Sequence, residues 1–253
     1  MRTSFLVATL TVGLLAICAD TFAAEVPPAP KASTFAPAED LVTALDSYIE
    51  RIDEVLADPD EFADLQSRVV KDAETISVLA LVLGLHDEDN PYKAAASELI
   101  KASQAVAQAA DYAAAKAAFA QLQAAKSAKG GEVTGWVRVA SLTALMEQVP
   151  LVNSRLKRYL RRFDRQADAI AVDAAVLAAI AQGSMANLDE TSRPSNSEQW
   201  FAFCEQMRDA AAAVNKAARA KDQAGATAAE ATLAKTCDEC HVVFHPEAVG
   251  KLE

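Results

Sequence analysis

The sequence predicts an all-α fold built as two tandem up-down-up-down four-helix bundles. Beyond residue 38, apolar residues recur with helical spacing nearly everywhere. The composition is 52% hydrophobic, rich in Ala and poor in Gly, Pro and aromatic residues, which favours helices over sheets. The order of helices and loops in the first half also recurs in the second.

The elements follow in order. Leu41, Leu45, Ile49, Ile52 and Leu56 form one stripe, and "DPDEF" ends that helix and starts a second over 61–85. "HDEDNP" stops the second; a third begins after Pro91 and a fourth covers 112–128, with "KGG" at 129–131 as its stop. "ASLTALMEQVPLVNSRLKRYLRRF" opens the second half with Pro150 as an expected kink. "RQADAIAVDAAVLAAIAQGSMANL", "EQWFAFCEQMRDAAAAVNKAARA" and "GATAAEATLAKTCDECHVVF" are the remaining three. Leu122 aligns with Leu233, so Lys126, Lys129 and Gly130 stand where the second half has Cys237, Cys240 and His241. The expected units are therefore 38–131, without a cysteine motif, and 132–253, which holds it.

Before them come Arg2, the apolar run "FLVATLTVGLLAIC" and small residues near Ala24, the pattern of a secretory signal over 1–24. Cys18 follows Ile17, a poor residue for a lipoprotein site. Residues 25–37 read as a Pro-rich extended leader. The expected product is exported and soluble, with no later run of 18 uninterrupted apolar residues and so no membrane span. A net charge of −11 argues against nucleic acid and anionic membranes as general partners.

The chemistry sits in "KTCDECHVVF", residues 235–244. On a helix, Cys237, Cys240 and His241 share one face, so two thiols can form thioethers with haem vinyl groups while the imidazole reaches iron from the same side. A zinc site needs four ligands, and the other donors, Cys204, His245 and His86, have no paired spacing. A thioredoxin-like thiol pair needs a βαβ setting that an all-α chain lacks. One covalent haem c is the cofactor this spacing supports. With almost no chain after Pro246, the far side of the iron must come from upstream. The end of the fourth helix in such a bundle meets the start of the first, the end of the second and the start of the third. Those places hold Leu142–Met146, Met185 and Trp200–Phe201.

On these residues, 139–246 resembles the cytochrome c′ family, four-helix bundles with haem attached near the C-terminus of the last helix. "CDECHVVFH" is similar to that family's Cys-x-x-Cys-His-x-x-Tyr/Phe-Arg/Lys stretch, with His245 in place of the basic residue. "SLTALME" resembles the first-helix segment whose apolar residue covers the vacant iron face, while the related soluble b-type cytochrome uses a first-helix Met as ligand. The resemblance implies His241 as proximal iron ligand, Cys237 and Cys240 as thioether anchors, Phe244 on the proximal side and His245 near a propionate or the edge. It leaves Leu142 or Met146 at the distal face and Trp200 at the porphyrin edge. It also implies electron transfer to a redox partner protein or binding of NO or CO, and members that pair as homodimers. Residues 38–130 resemble the same bundle with the motif missing.

The rivals are a weak haem enzyme, acting on peroxide or NO, and a structural or interaction protein in which haem is a staple. No Ser-His-Asp set, phosphate loop or paired-carboxylate motif points to another enzyme class. Cys204 reads as a buried small hydrophobe and His86 as a helix-end cap. "HDEDN" lacks calcium-loop spacing. Arg155, Lys157, Arg158, Arg161, Arg162 and Arg165 form a basic cluster, either a solvated face or a docking site for an acidic partner.

Overall fold

A computed structural model describes residues 25–249; the signal segment and Cys18 lie outside them. The described residues are all-α, with no strand among them. The helices are α1 (Ala38–Val55), α2 (Pro59–Leu85), α3 (Ala96–Ala107), α4 (Tyr112–Ala125), α5 (Leu142–Leu160), α6 (Phe163–Ser184), α7 (Ser197–Arg219), α8 (Gln223–Phe244) and a last short α9 (Pro246–Val249). Aspartates start three of them: Asp58, Asp111 and Asp222 accept from the backbone N–H groups of Asp60, Ala114 and Gly225 at 2.8, 2.8 and 2.9 Å. Ser141 caps α5 through Ala144 N–H at 3.3 Å. Consecutive helices pack on one another within α1–α4 and within α5–α8.

The boundary at 131/132 does not divide the core. Residues 75–83 of α2 and 173–184 of α6 are buried without interruption, so each helix is covered all round rather than along one stripe. α2 touches α5 and α6, α1 touches α6, and one continuous apolar cluster runs through both halves. The approach is close: a Cβ on Gly183 of α6 would meet Val78 of α2 at 2.8 Å. Polar bonds tie the same junction. Gln148 donates to the Tyr48 hydroxyl at 2.9 Å, Glu74 accepts from Ser141 N–H at 3.0 Å, and buried Asp40 accepts from Asn215 at 2.7 Å and from Arg219. Among the described residues one helical stretch, 163–190, has the length and hydropathy of a membrane span, with a mean hydropathy of 1.6. Most of that window, 83%, is buried inside the protein as its central helix.

One expectation needs correction. The leader 25–37 has no regular structure through Lys31, then turns in a 3-10 segment, and Ala32, Phe35 and Ala36 are buried in the core. Phe35 has apolar company to pack on, its ring 6.4 Å from that of Trp136, and burial outweighs extension. α5 runs through Pro150 without ending, although Pro150 brings no N–H and leaves the Met146 carbonyl without its i+4 donor. Gly130 packs closely, a Cβ there meeting the Ser97 hydroxyl and the Glu98 side chain, while no glycine among the described residues has positive φ. His86, at the end of α2, has both ring nitrogens engaged. Nε2 lies 3.0 Å from the Ala36 carbonyl and Nδ1 accepts from Glu88 N–H at 3.1 Å, so neither is free for a metal.

Candidate functional site

α5 carries two faces. Leu145, Gln148, Val152 and Leu156 enter the common core, while Leu142, Met146, Val149 and Asn153 line a gap toward α8. α8 answers with Thr236, Cys237, Cys240, His241 and Phe244 on one face. α5 and α8 touch only sparsely, and two adjoining cavities of about 600 and 300 Å³ fill the space between them. They share Met146, Trp200, Cys240 and His241 in their walls. Each falls within the range of about 300–1,000 Å³ that holds small molecules and cofactors.

The eight residues that the sequence singled out, Cys237, Cys240, His241, Phe244, His245, Leu142, Met146 and Trp200, all line this gap. Met185 does not. It is buried beside it, where its sulfur accepts from Gln182 Nε2 at 3.4 Å and its carbonyl accepts from Trp200 Nε1 at 3.2 Å. Phe244 packs edge-on against Trp200 at 5.2 Å and Phe203 at 6.3 Å, and its carbonyl accepts from the Ser192 hydroxyl at 2.7 Å. His245 is exposed at the mouth, its ring 5.9 Å from that of His241. Glu190 fixes the start of α5, accepting from Leu142 N–H at 2.8 Å and from Asn187 at 2.9 Å, with Arg138 outside it at 3.1 Å.

Burial sets the protonation of the site. It raises the Cys237 thiol to about 11 and the Cys240 thiol to about 12, and it raises Cys204 well above the ordinary range. These are protonated thiols, unlike the low-pKa cysteines of thiol redox pairs. Burial first, then the neighbouring His245, lowers the His241 imidazole, so the neutral form is favoured at neutral pH. Among the described residues no group of three or more His, Cys, Asp or Glu side chains gathers as a metal cage. A tetrahedral zinc site needs four such ligands, whereas a haem brings its own four nitrogens and asks the chain for one axial ligand.

The sequence reading missed two wall residues. Ser184, at the end of α6 and 1% exposed, and the half-buried Asn153 of α5 both line the inner cavity. Ser184 Oγ and Asn153 Oδ1 are buried and have no hydrogen-bond partner. Buried polar atoms are almost always paired, so orphans in a cavity wall fit a site whose contents complete them. The residues therefore suit a planar, mainly apolar group with a polar ligand or water beside it. Cys204 lies in the same wall, as a third thiol packed near Cys240. The basic cluster is split: Arg155 turns inward onto Asp173, Lys157 pairs with Glu230 at 3.3 Å, and Arg158, Arg161, Arg162 and Arg165 are exposed.

Fold and site together define an all-α helical protein with an apolar cavity walled by two thiols and an imidazole on one helix. Compared with known proteins, the chain matches no family model, no curated protein and no solved structure.

Proposed function

We propose that the chain is an exported monohaem c-type cytochrome of the c′ kind, binding NO or CO or carrying an electron at a His-ligated iron. The observation that carries this reading is the meeting of Cys237, Cys240 and His241 on one apolar gap between α5 and α8. Cys237 and Cys240 would form the two thioethers and His241 would hold the iron from the α8 side. A haem c, when bound, supplies a one-electron couple and an axial position for a diatomic gas. Leu142, Met146 and Val149 exclude water from the wall across from α8, and Trp200 with Phe244 closes an edge. His245, Thr191 and Ser192 provide the polar mouth. The tandem reading belongs here too: α1–α4 would be a haem-less counterpart that braces the haem-bearing set. Export rests on the segment 1–24.

Within this reading, a gas site is favoured over a Met146-ligated electron carrier by the orphaned Ser184 Oγ and Asn153 Oδ1. The Ser184 hydroxyl could donate to a bound diatomic, and Asn153 Oδ1 could accept from a water beside it. The test is the visible spectrum of the protein purified from a host that attaches haem, oxidised and reduced, with and without CO. A high-spin spectrum that changes with CO is expected. A low-spin spectrum indifferent to CO would assign the sixth position to Met146 and make the protein an electron carrier. Replacing Cys237 and Cys240 together with Ser should abolish haem that survives denaturation, and His241→Ala should alter the spectrum. Protein without covalent haem from such a host would overturn the proposal.

A further inference from the structure

A separate cavity of about 770 Å³ opens where α1, α2, α5, α6 and α7 meet, and it shares no wall residue with the cysteine gap. Arg51, Arg68, Arg155 and Arg219 line it, with Tyr48 and Tyr159 among their neighbours. This is an unusual gathering of guanidiniums in a chain of net charge −11. Each guanidinium brings five N–H donors and must place them when water is removed.

The acceptors present do not satisfy them. Arg219 is taken by Asp40, with Glu39 and Asp168 each 3.5 Å away. Arg155 spends Nε and Nη2 on Asp173, at 2.9 and 2.5 Å. Arg51 reaches buried Asp72 through Nη2 at 2.8 Å, but its Nε is buried with no partner. Arg68 Nε stands 3.8 Å from the same carboxylate, beyond hydrogen-bond reach. Three guanidiniums, Arg51, Arg68 and Arg155, thus share two carboxylates, Asp72 and Asp173. Arg68 is left without a hydrogen-bonded acceptor, its guanidinium on the wall of a cavity of ligand size. The Arg51 guanidinium lies 4.7 Å over the Tyr48 ring, which holds it flat against the wall.

We propose that this cavity binds a small organic oxyanion, a carboxylate or phosphate bearing an apolar body. Its charged group meets Arg51 and Arg68, and its body lies along Tyr159, Val172 and Val176. A planar oxyanion matches the guanidinium fork in the two-pronged way that makes such pairs strong. Asp72 gives the site a pH response. Its carboxyl is pushed up to about 6 by burial, against the pull of Arg51, Arg68, Arg155 and the Gln148 bond. Tyr48 from α1, its phenol raised by burial, Tyr159 from α5, and Asp168 and Asp173 from α6 are the other titratable groups in the wall, with Glu39 and Asp40 of α1 against Arg219. As pH falls through 6, Asp72 loses its charge, the junction becomes more positive beside Arg51 and Arg68, and anion binding tightens.

The experiment is calorimetric titration of the full chain with sodium benzoate, succinate and phosphate, at fixed ionic strength with chloride as control. Saturable 1:1 binding of at least one of the three is expected, several-fold tighter at pH 5.5 than at pH 7.5. Arg68 is the most exposed of the three guanidiniums, its side chain 40% accessible, so Arg68→Ala keeps the fold, checked by circular dichroism. It should weaken binding about tenfold, the loss of one charge-assisted contact. Absence of saturable heat with all three probes at both pH values overturns the proposal, as does binding unchanged in Arg68→Ala.

Discussion

At the end of the first four-helix set, three side chains close on one another. The Tyr92 hydroxyl donates to Asp46 at 2.5 Å, Lys126 Nζ lies 2.7 Å from the same carboxylate and 5.9 Å over the Tyr92 ring, and Gly130 N–H donates to the Ala94 carbonyl at 2.9 Å. In the second set, where the sequence alignment puts Cys237 opposite Lys126, α5 and α8 part around a gap of hundreds of cubic ångströms. Leu122 and Leu233, the aligned leucines a turn earlier, are both buried. One end of the molecule is sealed by its own side chains, and the other is left with an open gap. A void in a packed protein forfeits dispersion contacts, so the open end is the one a ligand would stabilise.

That contrast can be broken or sharpened by stability measurements on protein without haem. Leu122→Ala, in the closed set, should cost about 3 kcal/mol in urea unfolding, as buried leucines do, whereas Met146→Ala only widens a hole already present and should cost about 1 kcal/mol. Equal losses would mean the gap is not open in solution. The junction between the sets should respond to pH. Asp72 is raised from 3.8 to about 6, so its folded state holds the proton more tightly. Its contribution is fully present below pH 4 and is lost as pH rises through 6, about 2–3 kcal/mol in all. A stability profile flat between pH 4 and 6 in the wild type relative to Asp72→Asn would remove that claim. Tyr92→Phe deletes the bond to Asp46 and should cost about 1–2 kcal/mol, seen as a lower denaturation midpoint. Lys126→Ala should change the midpoint least, by less than about 1 kcal/mol, because both partners are a third exposed. A larger loss would show the closed end to be more tightly coupled than its geometry indicates.

Much of this was legible in the sequence, and the failures have physical causes. The start of α2 is legible in "DPDEF", where Asp58 caps the helix by local chemistry, whereas the same role of Asp111 and Asp222 emerges only from the structure. The face shared by Cys237, Cys240 and His241 follows from helical spacing alone. The continuous core was not legible, because unbroken apolar runs such as 174–181 lack the period that reports which side is covered. Arg155 belongs by sequence to an exposed basic run, yet a carboxylate 18 residues on, from the next helix, draws it inward. Ser184 and Asn153 became visible only when burial and hydrogen bonding were known together. Lys221, not a glycine, takes the left-handed turn between α7 and α8 at φ 56°, a choice that composition does not reveal.

The central burial of α6 has a consequence for the chain before it folds. Were the chain exported as proposed, 163–190 would present, unfolded in a membrane channel, an 18-residue window greasy enough to slip sideways into lipid. Every such window includes Asp173, and a carboxylate inside a span opposes that partition, by less than the roughly 3 kcal/mol it would cost at the centre. The residue that pairs with Arg155 in the finished molecule would therefore also act as a safeguard in such a transit. Asp173→Leu should strand a fraction of translocating chains in the bilayer, recovered with the membranes after alkaline extraction.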